Sequence, residues 1–172
     1  ITSKLFKTVP MKVDGSSGDD IVEGGNRSDA LHGRSGDDFF IATPGNDTYI
    51  GGPGQDTVLF EDLTRFGPIE CDLTTGRAVG PRGTITLKGI ECIAGTRKPD
   101  LLIGDGADNC IYGLNGDDTI VGFEGMDMLF GENGKDTIEG GAHGDEIHGG
   151  AHADHLYGED GNDELFGEAG HD

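Results

Sequence analysis

Aspartate returns at every ninth position through two stretches of this 172-residue chain. The first series is Asp20, Asp29, Asp38, Asp47 and Asp56. The second runs Asp100, Asn109, Asp118, Asp127, Asp136, Asp145, Asp154, Asp163 and Asp172, with one asparagine in the row. Each of these residues closes a glycine-rich loop. Regularly spaced carboxylates on such loops suit oxygen ligation of a hard divalent cation. Proton-transfer chemistry is the rival use, but pairs such as Asp117 and Asp118 recur with the repeat, which explains them as ligand plus solvated neighbour. No His-Glu-x-x-His, Gly-x-Ser-x-Gly or phosphate-binding loop accompanies them. The expectation is a non-catalytic chain.

The elements that position these carboxylates follow from the same nine-residue period. Units begin at Gly15, Gly24, Gly33, Ala42 and Gly51, and again at Gly95, Gly104, Gly113, Gly122, Gly131, Gly140, Gly149 and Gly158, with a partial unit from Gly167. Position eight is apolar or aromatic in every complete unit: Val22, Leu31, Phe40, Tyr49, Val58, Leu102, Ile111, Ile120, Leu129, Ile138, Ile147, Leu156 and Leu165. Positions one to six read as a turn that uses the positive φ open to glycine. Positions seven to nine read as a short strand whose position eight points inward. A strand this short buries nothing alone, so units must stack, two to a coil. Aspartates two units apart then lie about 4.8 Å from each other, one strand spacing. Two such charges repel by roughly 1 kcal/mol in water and several at an effective dielectric of 20. A divalent cation between them reverses the sign, and an oxygen-rich gap favours Ca²⁺ over Zn²⁺ or Mg²⁺.

Composition agrees. Thirty-three acids face 12 bases, a net charge of −21, and 33 glycines leave no room for a helical bundle. The charge opposes nucleic-acid binding. Leu, Ile, Val and Phe make up about 23% of the chain, just above the level of a disordered acidic polypeptide. Residues 99–172 hold 19 of the acids and a single base, Lys135, so the second half needs counterions to become compact. No apolar run approaches the ~18 residues of a membrane span, and no signal peptide is visible at Ile1.

Units such as Gly51-Gly-Pro-Gly-Gln-Asp-Thr-Val-Leu59 and Gly158-Glu-Asp-Gly-Asn-Asp-Glu-Leu-Phe166 resemble the RTX, or haemolysin-type, calcium-binding nonapeptide Gly-Gly-x-Gly-x-Asp-x-U-x. The resemblance implies an all-β fold, a right-handed parallel β-roll with Ca²⁺ between stacked loops. It also implies export, usually by type I secretion, with folding afterwards. The ligands it implies are the position-six carboxylates and loop carbonyls. In the first block the loop residues are Gly18, Gly25, Gly33, Gly36, Gly45, Gly51 and Gly54. In the second they are Gly113, Gly116, Gly122, Gly125, Gly131, Gly134, Gly140, Gly141, Gly149, Gly150, Gly158, Gly161, Gly167 and Gly170. Parity of the loops gives up to about ten ions. Asn109, Lys98, Arg27 and Ala107 depart from the consensus and lower that count.

The expected organisation is an N-terminal segment (1–14), a five-repeat block (15–59), a β meander (60–94) and a second block (95–172) in a separate register. His143, His148, His152 and His155 suggest a transition-metal site in linear reading, but the solenoid sends them to different edges and faces. EF-hand loops would need flanking helices. Tyr112, Phe130, His148 and Phe166 stack at position nine, with Cys110 and Met128 beside them, while Phe39 and Ile41 form a similar patch. Such a column suits another domain, a polysaccharide or a cell surface. Cys71 and Cys92 each follow Ile-Glu and could pair across meander strands. The leading reading is a calcium-binding module of a larger secreted or surface protein. The alternatives are an adhesion module or an accessory domain of a secreted enzyme or toxin.

Overall fold

The computed structural model describes residues 9–60 and 67–172. Residues 1–8 of the N-terminal segment and 61–66 of the meander lie outside the described residues. Among the described residues every regular element is a β-strand. In the first half these are β1 (Lys12–Asp14), β2 (Ile21–Glu23), β3 (Ala30–His32), β4 (Phe39–Ile41), β5 (Thr48–Ile50) and β6 (Thr57–Leu59). The meander gives β7 (Glu70–Asp72), β8 (Arg77–Gly80), β9 (Gly83–Lys88) and β10 (Cys92–Ala94). The second half gives β11 (Leu101–Ile103), β12 (Cys110–Asn115), β13 (Thr119–Glu124), β14 (Met128–Asn133), β15 (Thr137–Ala142), β16 (Glu146–Ala151), β17 (His155–Asp160) and β18 (Glu164–Ala169).

Alternate strands stack into two facing sheets, as a two-unit coil requires. One sheet runs β1-β3-β5-β9-β8-β7-β11-β13-β15-β17 and the other β18-β16-β14-β12-β10-β6-β4-β2. Within each block the pairing is parallel with an 18-residue offset, for example Leu129 opposite Ile147. Position eight is the core. Leu31, Phe40, Tyr49, Val58, Leu102, Ile111, Ile120, Leu129, Ile138 and Ile147 are all wholly buried, and burial of such side chains supplies roughly 1.5–3 kcal/mol each.

Two features differ from the sequence reading. The two blocks form one continuous stack: β10 pairs in parallel with β6 on one side and β12 on the other, which aligns Val58, Ile93 and Ile111. The meander is also built into the roll. β9 continues β5 in parallel, β7 pairs in parallel with β11, and only β8 runs antiparallel between them. One sheet thus gains three strands where the other gains one, about 10 Å of extra width at one strand spacing each. Buried Phe60, Ile69, Leu73, Ala78, Ile85, Leu87 and Ile90 fill the thickened section.

From β12 onward the strands are six residues long because pairing continues past the bend, as in Leu114 opposite Glu132. The bend residue lies in the left-handed region, and it is often not glycine: Arg34, Leu114, Phe123, Glu132, Glu159 and Glu168 have φ between 66° and 90°. Cys71 and Cys92 sit on opposite sheets and all three cysteines are free. The register neighbour of Cys92 is Cys110.

Candidate metal centre

Each loop brings its aspartate back under its own first residue and against the next coil. Asp118 Oδ1 accepts the Asp100 N–H at 2.8 Å, Asp136 accepts that of Asp118 at 2.8 Å, and Asp154 that of Asp136 at 2.9 Å. The other edge repeats this through Asp127, Asp145 and Asp163, accepting from Asn109, Asp127 and Asp145. In the first block Asp38, Asp47 and Asp56 accept from Asp20, Asp29 and Asp38. Asp172 accepts from Asp154. The predicted carboxylates therefore form ladders along the two loop edges.

The second oxygen is the informative one. Oδ2 of Asp38, Asp56, Asp118, Asp127, Asp136, Asp145 and Asp154 is buried without any hydrogen-bond partner. Each points to the side of a loop glycine where a Cβ would stand, and in every case but Asp38 a carbonyl of the next coil lies beside it. A Cβ on Gly149 would lie 2.7 Å from Asp154 Oδ2 and 3.1 Å from the Gly167 carbonyl oxygen. Gly113, Gly122, Gly131 and Gly140 repeat this with Asp118, Asp127, Asp136 and Asp145 and the carbonyls of Gly131, Gly140, Gly149 and Gly158. The position-four residues add further oxygens: the carbonyls of Gly36, Lys98, Ala107, Gly116, His143 and His152 face Gly54, Gly116, Gly125, Gly134, Gly161 and Gly170. Unpartnered carboxylate oxygens and converging carbonyls form an all-oxygen donor set, which fits Ca²⁺.

Other predicted ligands have their oxygens occupied. Asp20 Oδ2 accepts from Ser16 N–H and hydroxyl, and these bonds lower its pKa. Asp29 accepts from Gly25 and Met11, Asp47 from Tyr49 and Thr43 hydroxyls, and Asp100 from Thr96 and Ile69. Asp172 is exposed.

Burial, reinforced by neighbouring carboxylates, pushes Asp118 and Asp127 up to about 7, and Asp56 and Asp136 up to about 6. Desolvation disfavours the charged form, and like charges along the ladder add to it. Such groups require a proton or a cation.

Several residues were not foreseen. Position-five acids are not simply solvated: Asp19, Asp37, Asp108 and Asp117 each accept the N–H of the position-five residue one coil on. Glu91 stands in the ladder between Asp56 and Asn109, accepting the Asp56 N–H at 2.9 Å. The signal was present, since Glu91 precedes Asn109 by 18 residues as Ile93 precedes Ile111. His143 and His152 occupy left-handed loop positions with φ of 86° and 94°, each ring bonded to the preceding carbonyl. His148 lies between Phe130 and Phe166. Among the described residues no three His, Cys, Asp or Glu side chains converge as a metal cluster.

The fold and its ladders define a calcium-binding parallel β-solenoid. The RTX calcium-binding nonapeptide repeat family matches residues 14–49, 23–58, 89–120, 121–151 and 140–172, well over half the chain, and the chain belongs to that family. No curated protein matches it. No helix among the described residues is long and apolar enough to cross a membrane.

Proposed function

We propose that this chain is a non-catalytic module of a larger secreted or cell-surface protein, folded by Ca²⁺ after export. The observation that carries this reading is the set of seven buried Oδ2 atoms without partners. At neutral pH without metal, stacking the coils forces these groups to stay charged in a dry, self-repelling row or to take up protons. The unfolded chain, with its net charge of −21, keeps them hydrated. Bound Ca²⁺ supplies positive charge and links oxygens of successive loops, so metal binding and folding are one equilibrium. Sites of extracellular type, with Kd on the order of 10⁻⁴–10⁻³ M, leave the chain open where free Ca²⁺ is scarce and close it outside the cell.

The orphaned oxygens support fewer ions than the ten expected from parity, because Asp20, Asp29, Asp47 and Asp100 hold protein donors instead. The polysaccharide reading loses support. Tyr112, Phe130, His148 and Phe166 stack with centroid separations of 4.6–4.9 Å, so the ring faces a sugar would need are turned on one another. Far-ultraviolet circular dichroism tests the proposal. At pH 7.5 in excess chelator the β spectrum is expected to vanish and to return with millimolar Ca²⁺. A full β spectrum persisting in chelator overturns it.

A further inference from the structure

The seam between the two repeat arrays carries a carboxylate that belongs to neither. Gly89 occupies the first loop position after Gly51, since the Gly51 N–H donates to the Lys88 carbonyl just as that of Gly33 donates to Ile50. Glu91 occupies position six, because the amides of Glu91 and Cys92 both donate to the Asp56 carbonyl. The loop thus spans three residues, Gly89-Ile90-Glu91, where Gly51 to Asp56 spans six. From that shorter loop Glu91, one methylene longer than aspartate, reaches the Asp56 N–H at 2.9 Å.

Across from it, Asp56 is fully buried and its Oδ2 has no partner. That oxygen and the Gly89 carbonyl both crowd the position a Cβ on Gly51 would take. Asp56 Oδ2 is therefore aimed into the seam beside a carbonyl, as Asp154 Oδ2 is beside that of Gly167. The next gap is closed differently. Asn109 Nδ2 donates to the Glu91 carbonyl at 3.3 Å while its Oδ1 accepts from Asp105. An amide bridges there and no cation is needed.

We propose that Asp56, Glu91 and the Gly89 carbonyl form an additional site for a hard divalent cation that fastens the first repeat array to the second. The site rests on the reading of the other gaps as Ca²⁺ sites. With fewer loop carbonyls than a full gap it keeps more water on the ion, and it fills after the regular sites.

Native mass spectrometry of the full chain, titrated with Ca²⁺, counts the ions. E91Q retains an acceptor for the Asp56 N–H and loses only charge, so its circular dichroism in Ca²⁺ should match wild type while it carries one ion fewer. E91D keeps the charge but lacks the reach, and it is expected to lose the same ion. D127N, in a regular gap, reports on the general reading by losing an ion of its own. E91Q with the wild-type ion count overturns the seam site and leaves the functional reading intact. A wild-type chain that binds no Ca²⁺ overturns both.

Discussion

At the residue scale, one carboxylate oxygen of each of seven ladder aspartates is structural and the other is spare. Asp118 Oδ1 holds the neighbouring coil through the Asp100 amide, while Oδ2 is buried with nothing to meet. The pKa of a free aspartate is near 4, and in the folded chain Asp118 and Asp127 stand at about 7 and Asp56 and Asp136 at about 6. A raised carboxylate pKa means that the folded state binds more protons than the unfolded one. Metal-free stability is therefore greatest below about pH 4 and is lost as pH rises through these folded values. In chelator, circular dichroism should show more β structure at pH 5 than at pH 7.5. With Ca²⁺ the trend reverses, since protons compete for the same oxygens. Glycine is demanded by the backbone at Gly125, where φ is +116° and a Cβ would lie 2.5 Å from the Ala107 carbonyl oxygen. G125A should destabilise the Ca²⁺-bound chain by about 2 kcal/mol or more in urea unfolding. L114G, at a φ of 76°, should stabilise it by up to about 1 kcal/mol, because leucine is strained in that region.

At the element scale, the strands and the loop edges were legible because one period sets both. Position eight needs an apolar residue facing the core, and position six needs an oxygen at the loop's return. Those demands recur every nine residues in Leu129, Ile138 and Ile147 as in Asp127, Asp136 and Asp145. The seam was legible from one side only, for the same reason. The loop at Gly89 is three residues shorter, so counting by nines forward from Gly51 loses the register, and only counting back from Asn109 reaches Glu91, while β10 keeps its place between β6 and β12. The shared Ile-Glu-Cys context in the meander likewise suggested pairing Cys71 with Cys92, whereas the coil places Cys110 beside Cys92. The aromatic column was visible as residue types, but its consequence depends on ring planes. Tyr112 and Phe130 are 7° from parallel, so the rings contribute to coil-on-coil stacking. Phe130 touches two rings and Tyr112 one. F130A should therefore cost about 1 kcal/mol more than Y112A in urea unfolding at saturating Ca²⁺, given roughly 0.5–1.5 kcal/mol per ring contact beyond burial. Equal costs would remove the stack from the stability account.

At the scale of the whole molecule, the roll is a one-dimensional stack in which each coil leans only on its neighbours. Stability in such an array sums local terms and interface terms, so a coil with one neighbour is weaker than a coil with two. Position eight records the difference: Leu129, Ile138 and Ile147 are 0% exposed, whereas Leu165 in the final coil is 44% exposed. Asp163 and Asp172 in that coil also lack the buried orphan oxygen of Asp136 and Asp145, which weakens their hold on an ion. In the 172-residue polypeptide taken by itself, opening should begin at β17 and β18 and move inward as Ca²⁺ is withdrawn. Hydrogen exchange at saturating Ca²⁺ should then show the Leu165 amide exchanging orders of magnitude faster than that of Leu129. On stepwise chelation, loss of protection should reach Ile147 before Leu129. The meander resists this march differently, because Leu87, Cys71 and Ala78 are held by β7–β9 pairing and a buried core, and among the described residues none of the buried orphan carboxylate oxygens belongs to β7–β9. Protection there should outlast that of β16 as Ca²⁺ falls. Simultaneous loss across all strands at one Ca²⁺ concentration would instead make the roll a single cooperative unit.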